Sequence, residues 1–149
     1  MIALGADHGG YLLKEEIKKH LDEKGIEYKD FGTYSTDSVD YAKIAFKTCE
    51  SVTRGECEKA ILCCGTGIGI SMAANKVKGI RAACCSDWFS AKYTRLHNDA
   101  NALCLGGRVV GAGLALEMVD IFLSTEFEGG RHQRRVDQIT AIENGTFEE

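Results

Sequence analysis

What most constrains this chain is an alternation. Apolar runs of strand length take turns with amphipathic stretches of helix length over nearly the whole sequence. Residues 2–6 are followed by 11–24, where Leu12, Leu13, Ile17 and Leu21 recur at helical spacing and Gly25 supplies the stop. A second strand at 28–31 leads through Gly32-Thr33-Tyr34-Ser35 to a helix at 41–52, and residues 59–64 form the strongest strand. Helix 69–77, strand 80–85, helix 87–97 and strand 102–105 come next, and helices at 113–123 and 131–144 close the pattern, the last entered through Glu128-Gly129-Gly130. Strands separated by helices pair in parallel and are covered on both faces. The expected fold is therefore α/β: a single-domain three-layer α/β/α sandwich with a five-stranded parallel sheet, Rossmann-like, over residues 1–149. With no proline, repeat or low-complexity tract, nothing marks an internal boundary.

Charge and cysteine usage narrow the function classes. Eighteen basic residues against 22 acidic ones give a net charge of −4, without the positive excess that general binding to nucleic acid or anionic membrane needs. Any anion site must be local. The seven cysteines include two adjacent pairs and no C-x-x-C, so the spacing reads neither as a secreted disulfide framework nor as a tetrahedral zinc site. Most lie in apolar runs, where a thiol packs as a small hydrophobe in a reducing compartment. No basic and apolar leader precedes the first strand and no apolar run approaches 18 residues, which predicts a soluble, cytoplasmic chain.

In a parallel sheet, ligands collect at the carboxyl ends of the strands. Here those ends are Asp7-His8, Cys64-Gly65-Thr66-Gly67, Ser86-Asp87 and Gly106-Gly107-Arg108, expected to line one crevice. The glycine turn Cys64-Gly65-Thr66-Gly67-Ile68-Gly69 has the makings of an anion nest of backbone N–H groups. It lacks the Gly-Lys-Ser/Thr of a nucleotide phosphate loop and the third glycine of a dinucleotide fingerprint. A plain strand-to-helix turn is the bland alternative. Cys64 sits where the strand ends and the positive helix end begins, an environment that favours the reactive thiolate, whereas Cys63 must point to the opposite face and pack. Asp7-His8-Gly9-Gly10 leaves His8 free to meet an anion, with Asp7 a helix cap, a ligand, or both. His97 closes its helix, followed by Asn98 and Asp99, in a connection that leads toward the amino side of the sheet, away from Cys64. Either that helix end bends over the rim or His97 completes a neighbouring subunit's site. Arg131 and Arg135, at i, i+4 in a chain otherwise acidic, suit a phosphate or else pair with Glu128 and Asp137; Arg108 is a third candidate, and Arg134 is undecided.

Taken together, Gly5-Ala6-Asp7-His8-Gly9-Gly10, Cys64-Gly65-Thr66-Gly67-Ile68-Gly69-Ile70-Ser71, Ala73-Ala74-Asn75-Lys76, Arg95-Leu96-His97-Asn98-Asp99, Gly106-Gly107-Arg108-Val109-Val110-Gly111 and Glu128-Gly129-Gly130-Arg131-His132 resemble the type B ribose-5-phosphate isomerase family over essentially the whole chain. The wider family includes galactose-6-phosphate and allose-6-phosphate isomerases. The resemblance implies an aldose-ketose isomerase of the pentose phosphate pathway without cofactor or metal. Cys64 would be the base moving the proton between C1 and C2, Thr66 the residue on the reacting oxygens, and Gly65, Gly67 and Gly69 the enediolate nest. His97 would open the sugar ring, Asp7 and Asn98 would hold hydroxyls, and His8, Arg108, Arg131 and Arg135 the phosphate. A family subgroup carries a glutamate base where this chain has Ile70. The family is dimeric or tetrameric with sites at subunit interfaces, so a homodimer is expected, with the helix at 131–144 packing on a neighbouring subunit. Sugar length would depend on the pocket between Asp7, residues 33–41 and Arg131, which makes Tyr41 a further candidate contact and a hexose-6-phosphate isomerase the alternative. A nucleotide-binding module would use the same nest without needing Cys64, and a thiol redox protein would need a partner cysteine.

Overall fold

The computed structural model describes residues 1–149. In chain order it contains β1 (Ile2–Ala6), α1 (Tyr11–Glu23), β2 (Tyr28–Asp30), α2 (Tyr41–Thr53), β3 (Lys59–Cys64), α3 (Ile68–Ala74), β4 (Ala82–Cys84), α4 (Trp88–Asn98), β5 (Ala102–Gly106), α5 (Ala112–Ser124) and α6 (Arg131–Asn144). All five strands are parallel in the order β2-β1-β3-β5-β4. The single-domain α/β sandwich expected from the alternation is what forms.

Strand alternation divides the core between two faces. Leu4, Ala6, Ile61, Cys63, Leu103 and Leu105 point to a face covered by Leu13, Ile17 and Leu21 of α1, Ala91 of α4 and Met118, Val119 and Phe122 of α5. Ala3, Ala60, Leu62, Cys64, Ala102 and Cys104 point to the other, under Ala45 and Cys49 of α2 and Ile70 and Ala74 of α3. β1 and β3 are direct neighbours, yet the chain leaves β1 toward β2 on one side and continues from β3 toward β5 and β4 on the other. Their carboxyl ends therefore flank the switch point, where loops diverge and a crevice opens.

Differences from the sequence reading are local and have causes. β4 is three residues instead of six because side chains take over its first backbone groups: Arg81 N–H donates to Asn101 Oδ1 at 2.8 Å, and Asn75 brackets Ala82 with bonds of 2.8 and 2.9 Å. Asp87 Oδ1 accepts from Ser90 N–H at 2.7 Å and caps α4. Lys14, on the core side of α1, is 1% exposed and reaches Asp30 Oδ1 at 2.7 Å and the Thr33 carbonyl at 2.6 Å, tying α1 to the segment after β2. α6 runs beside α4 of its own chain, burying His132 and Val136 and leaving Ile139 and Ile142 exposed. No helix is long and apolar enough to cross a membrane.

Candidate active site

Three strand ends interlock at the switch point. Gly10 packs so closely under Cys63 that a Cβ there would collide with the Cys63 carbonyl, which brings the 7–10 turn against β3. Asp7 is buried, and its Oδ1 accepts from Gly9 N–H at 2.8 Å and Gly10 N–H at 3.2 Å. The carboxylate thus braces its own turn and does not cap α1, whose N-cap is Gly10 without a side-chain bond. From β5, Gly107 N–H donates to the Cys64 carbonyl at 2.8 Å and Arg108 N–H to the Gly65 carbonyl at 3.0 Å. The exposed Arg108 guanidinium stands over Gly65, where an added Cβ would meet Nη1 at 3.2 Å. His8 Nδ1 accepts from Val39 N–H at 3.2 Å. Neutral His8 therefore carries its proton on Nε2, the nitrogen left to donate.

Cys64 and Cys63 point to opposite faces as alternation requires. Cys63 lies in the α1/α5 core, where burial pushes its thiol far up from the ordinary value. Cys64 is 4% exposed, and its Sγ accepts from Gly67 N–H at 3.1 Å. Gly67 is the N-cap of α3 at φ 80°, a conformation that favours glycine, and it turns the chain sharply enough to aim that amide back at the sulfur. Ile68 N–H is taken by Thr66 Oγ1 at 3.2 Å. The amides of Gly65, Thr66, Gly69 and Ile70 have no protein acceptor, so unpaired donors cluster beside one thiol. Tyr41, at the start of α2, lays its ring across Gly69, where an added Cβ would meet it at 2.9 Å. The fourth strand end behaves differently from expectation: Asp87 is spent on capping α4, and β4 instead reaches the turn through Cys84, whose Sγ lies 3.9 Å from the Thr66 carbonyl.

The remaining candidates form a second group at the other end of the sheet. The Asn98 and Asp99 carbonyls accept from Arg81, at the start of β4, at 3.1 and 3.0 Å. That contact fixes the end of α4 at the amino side of the sheet. A cleft of about 340 Å³ runs along α4 with Cys84 and Cys85 at one end and His97 and Asn98 at the other. From Phe89 to Asn98 the helix advances roughly 14 Å, so within one chain His97 does not reach the glycine turn. His97 stacks on His132 with centroids 4.1 Å apart, and Tyr93 meets it edge-on at 5.1 Å. Partial burial, with the neighbouring His97 and Arg131, lowers the His132 pKa from its ordinary value. Arg131, Arg134 and Arg135 are exposed and make no ion pair within the chain: Asp137 is held by Gln133, and Glu128 faces the two histidines. A cavity of about 770 Å³ lies between Ile80 and the Ile139 and Ile142 face of α6, with Arg81 and Asn98 of the second group in its lining.

A doubly wound parallel sheet with a thiol and an amide nest at its switch point defines a class of α/β protein suited to proton transfer on an anionic small molecule. Comparison with known proteins makes this specific. The sequence pattern of the family described as Ribose/Galactose Isomerase matches residues 2–139, and the chain belongs to that family. It is 53% identical over 142 residues to ribose-5-phosphate isomerase B of Escherichia coli strain K12, covering 95% of each chain. Its fold superposes on the ribose-5-phosphate isomerase B structure from Clostridium thermocellum with a TM-score of 0.95 at 54% identity, covering 97% of each. The Mycoplasma genitalium enzyme, solved with bound ribulose 5-phosphate, superposes with a TM-score of 0.91 at 42% identity over 96% of this chain and 95% of that one.

Three residues of these clusters escaped the sequence reading. Cys84 shares its face with Ala82 and so with Cys64, but the order that places β4 near the turn is not written in the sequence. Glu128 and His132 sit at i, i+4, a spacing that signals contact, yet their meeting with His97 depends on how α6 folds back.

Proposed function

We propose that this chain interconverts ribose 5-phosphate and ribulose 5-phosphate through an enediolate. The observation that carries the proposal is the contact of Cys64 Sγ with Gly67 N–H beside four amides that have no protein acceptor. Cys64 as thiolate takes the proton from C2 of the open-chain aldose, the C2–H electron pair becomes the C1–C2 double bond, and the carbonyl oxygen at C1 becomes the oxyanion. Return of the proton from the thiol to C1 gives the ketose. The O2 hydroxyl proton passes to O1 by way of the Thr66 hydroxyl, so the oxyanion moves from O1 to O2 in front of the nest, where fixed donors stabilise charge as it develops. Thr66 bridges those oxygens, and Asp7, through the oxygen not used by its own turn, holds a hydroxyl. His8 Nε2 and Arg108 bind phosphate at the same crevice.

The second group enters from a neighbouring subunit in this proposal. His97 opens the furanose ring and Asn98 holds a hydroxyl, while Arg131 and Arg135, unpaired in their own chain, complete the phosphate site. A homodimer with two shared sites satisfies that geometry, and the exposed Ile139 and Ile142 give α6 an apolar face to set against the partner. A metabolic role of this kind belongs in the cytoplasm. Turnover of the purified protein across ribose 5-phosphate, allose 6-phosphate, galactose 6-phosphate and the free sugars tests the proposal. Preference for ribose 5-phosphate is the expected result; preference for a hexose phosphate would move the chain to the other branch of its family, and no turnover on any would overturn the isomerase reading.

A further inference from the structure

The end of α4 is clamped at a residue that no step of the proposed reaction uses. Asp99 stands at φ 48° and ψ 44°, the only non-glycine position in the chain with positive φ. Glycine is the usual occupant of such a helix end and would close α4 by itself. Here the side chain is bound instead, each carboxylate oxygen by a different guanidinium: Oδ1 accepts from Arg95 Nη1 at 2.9 Å and Oδ2 from Arg81 Nη2 at 3.1 Å. Arg81 also spans the backbone, its Nε donating to the Asn98 carbonyl at 3.1 Å and the Asp99 carbonyl at 3.0 Å. Arg95 is 5% exposed and reaches the Ala100 carbonyl at 2.6 Å through Nη1 and the Thr125 carbonyl at 3.1 Å through Nε. One buried guanidinium therefore joins the end of α4, the turn into β5 and the strap between α5 and α6. The same strap is tied to α4 again where Glu128 N–H donates to the Leu96 carbonyl at 3.1 Å. His97 and Asn98 lie inside this frame, between the Leu96 carbonyl and the Asp99 carboxylate.

We propose that Asp99, held by Arg81 and Arg95, is a positioning residue that sets the pose in which His97 and Asn98 enter the neighbouring subunit's site, and so acts on ring opening and not on proton transfer. The inference rests on the roles proposed above for His97 and Cys64. A misplacement of about 1 Å in a reacting group can cost about 10²-fold in rate, so a turn this firmly braced has a catalytic consequence.

The two sugars separate the steps. Ribose 5-phosphate is a furanose that must open before Cys64 can take the C2 proton, whereas ribulose 5-phosphate, with O5 phosphorylated, cannot close a furanose and is acyclic. In heavy water, removal of a C1 hydrogen from the ketose shows either as aldose formed or as deuterium entering C1, and the two are summed. At saturating substrate, Asp99→Gly, which suits the left-handed turn and removes the carboxylate, should lower kcat from ribose 5-phosphate at least tenfold. The summed rate from ribulose 5-phosphate should stay within twofold of the parent. Arg81→Lys, which keeps the charge and loses the fork, should show the same split to a smaller degree and serves where Asp99→Gly folds poorly. Equal losses on both sugars in both variants would make the clamp structural only, and an unchanged kcat from ribose 5-phosphate in both would show that His97 does not depend on it; either result overturns the proposal. No turnover by the parent protein overturns the isomerase reading and this inference with it, an outcome distinct from an active parent whose variants show no split.

Discussion

Cys63 and Cys64 are chemically identical neighbours given opposite fates by a strand period of two. One is sealed between sheet and α1, the other faces the glycine turn. Cys64→Ala should lower kcat for ribose 5-phosphate by about 10²–10⁴-fold, the usual contribution of a positioned base, with substrate affinity within a few-fold, while Cys63→Ala keeps activity. Steady-state kinetics with a separate binding titration checks both, and an active Cys64→Ala beside a dead Cys63→Ala would reverse the assignment. This pair was legible in the sequence because alternation and a flanking glycine turn are local facts. Asp7 was legible only in part, since its carboxylate binding its own turn amides depends on where β1 stops. Cys84, Glu128 and His132 were not legible, because their neighbours come from elements distant in the chain.

Among the elements, α1 carries the least expected feature, a lysine on its core face. Lys14 is buried against Asp30 and the Thr33 carbonyl, and removing it leaves the carboxylate with only Lys18 at 3.0 Å and the Gly32 amide, and the carbonyl without its lysine donor. Lys14→Met should destabilise the fold by about 1–3 kcal/mol in denaturant unfolding, the cost typical of buried polar groups losing a partner. Burial alone would raise the Asp30 carboxyl, but hydrogen bonds from Lys14, the Gly32 amide and Lys18 outweigh it and hold the group below its ordinary 3.8. Because the unfolded chain then binds the proton more readily, Asp30 contributes stability above about pH 4 that is lost as pH falls further. Asp30→Asn should flatten the acid limb of an unfolding-against-pH curve; an unchanged limb would show that Asp30 does not set it. A helical period cannot announce this, since a lysine on an apolar stripe reads as a boundary residue. For α6, the sequence showed the arginine spacing, and the structure leaves those arginines without ion pairs. Arg131→Ala and Arg135→Ala should raise KM for ribose 5-phosphate by tenfold or more and change activity on free ribose little. Equal losses on both substrates would make the arginines structural.

At the scale of the whole molecule, the alternation of elements made the fold class legible, and most strand and helix limits fell within a residue or two. Sheet order was not legible, because periodicity carries no record of which strands become neighbours; the placement of β5 between β3 and β4 had to come from the structure. The parallel direction of the strands separates the two halves of the candidate site, because α4 runs back from the carboxyl ends, where Cys64 and the nest lie, to the amino side, where Asn98 next to His97 meets Arg81. The account therefore stands on a site completed by a second copy of the chain, and complementation tests it most directly. Cys64→Ala and His97→Ala proteins, each inactive alone, are mixed under conditions that allow subunit exchange. In a two-fold dimer about half the molecules become heterodimers, each with one intact site of two, so roughly a quarter of the parent activity should return. No recovery, with exchange verified by a mass-tagged subunit, would place both residues in one chain's site and contradict the account.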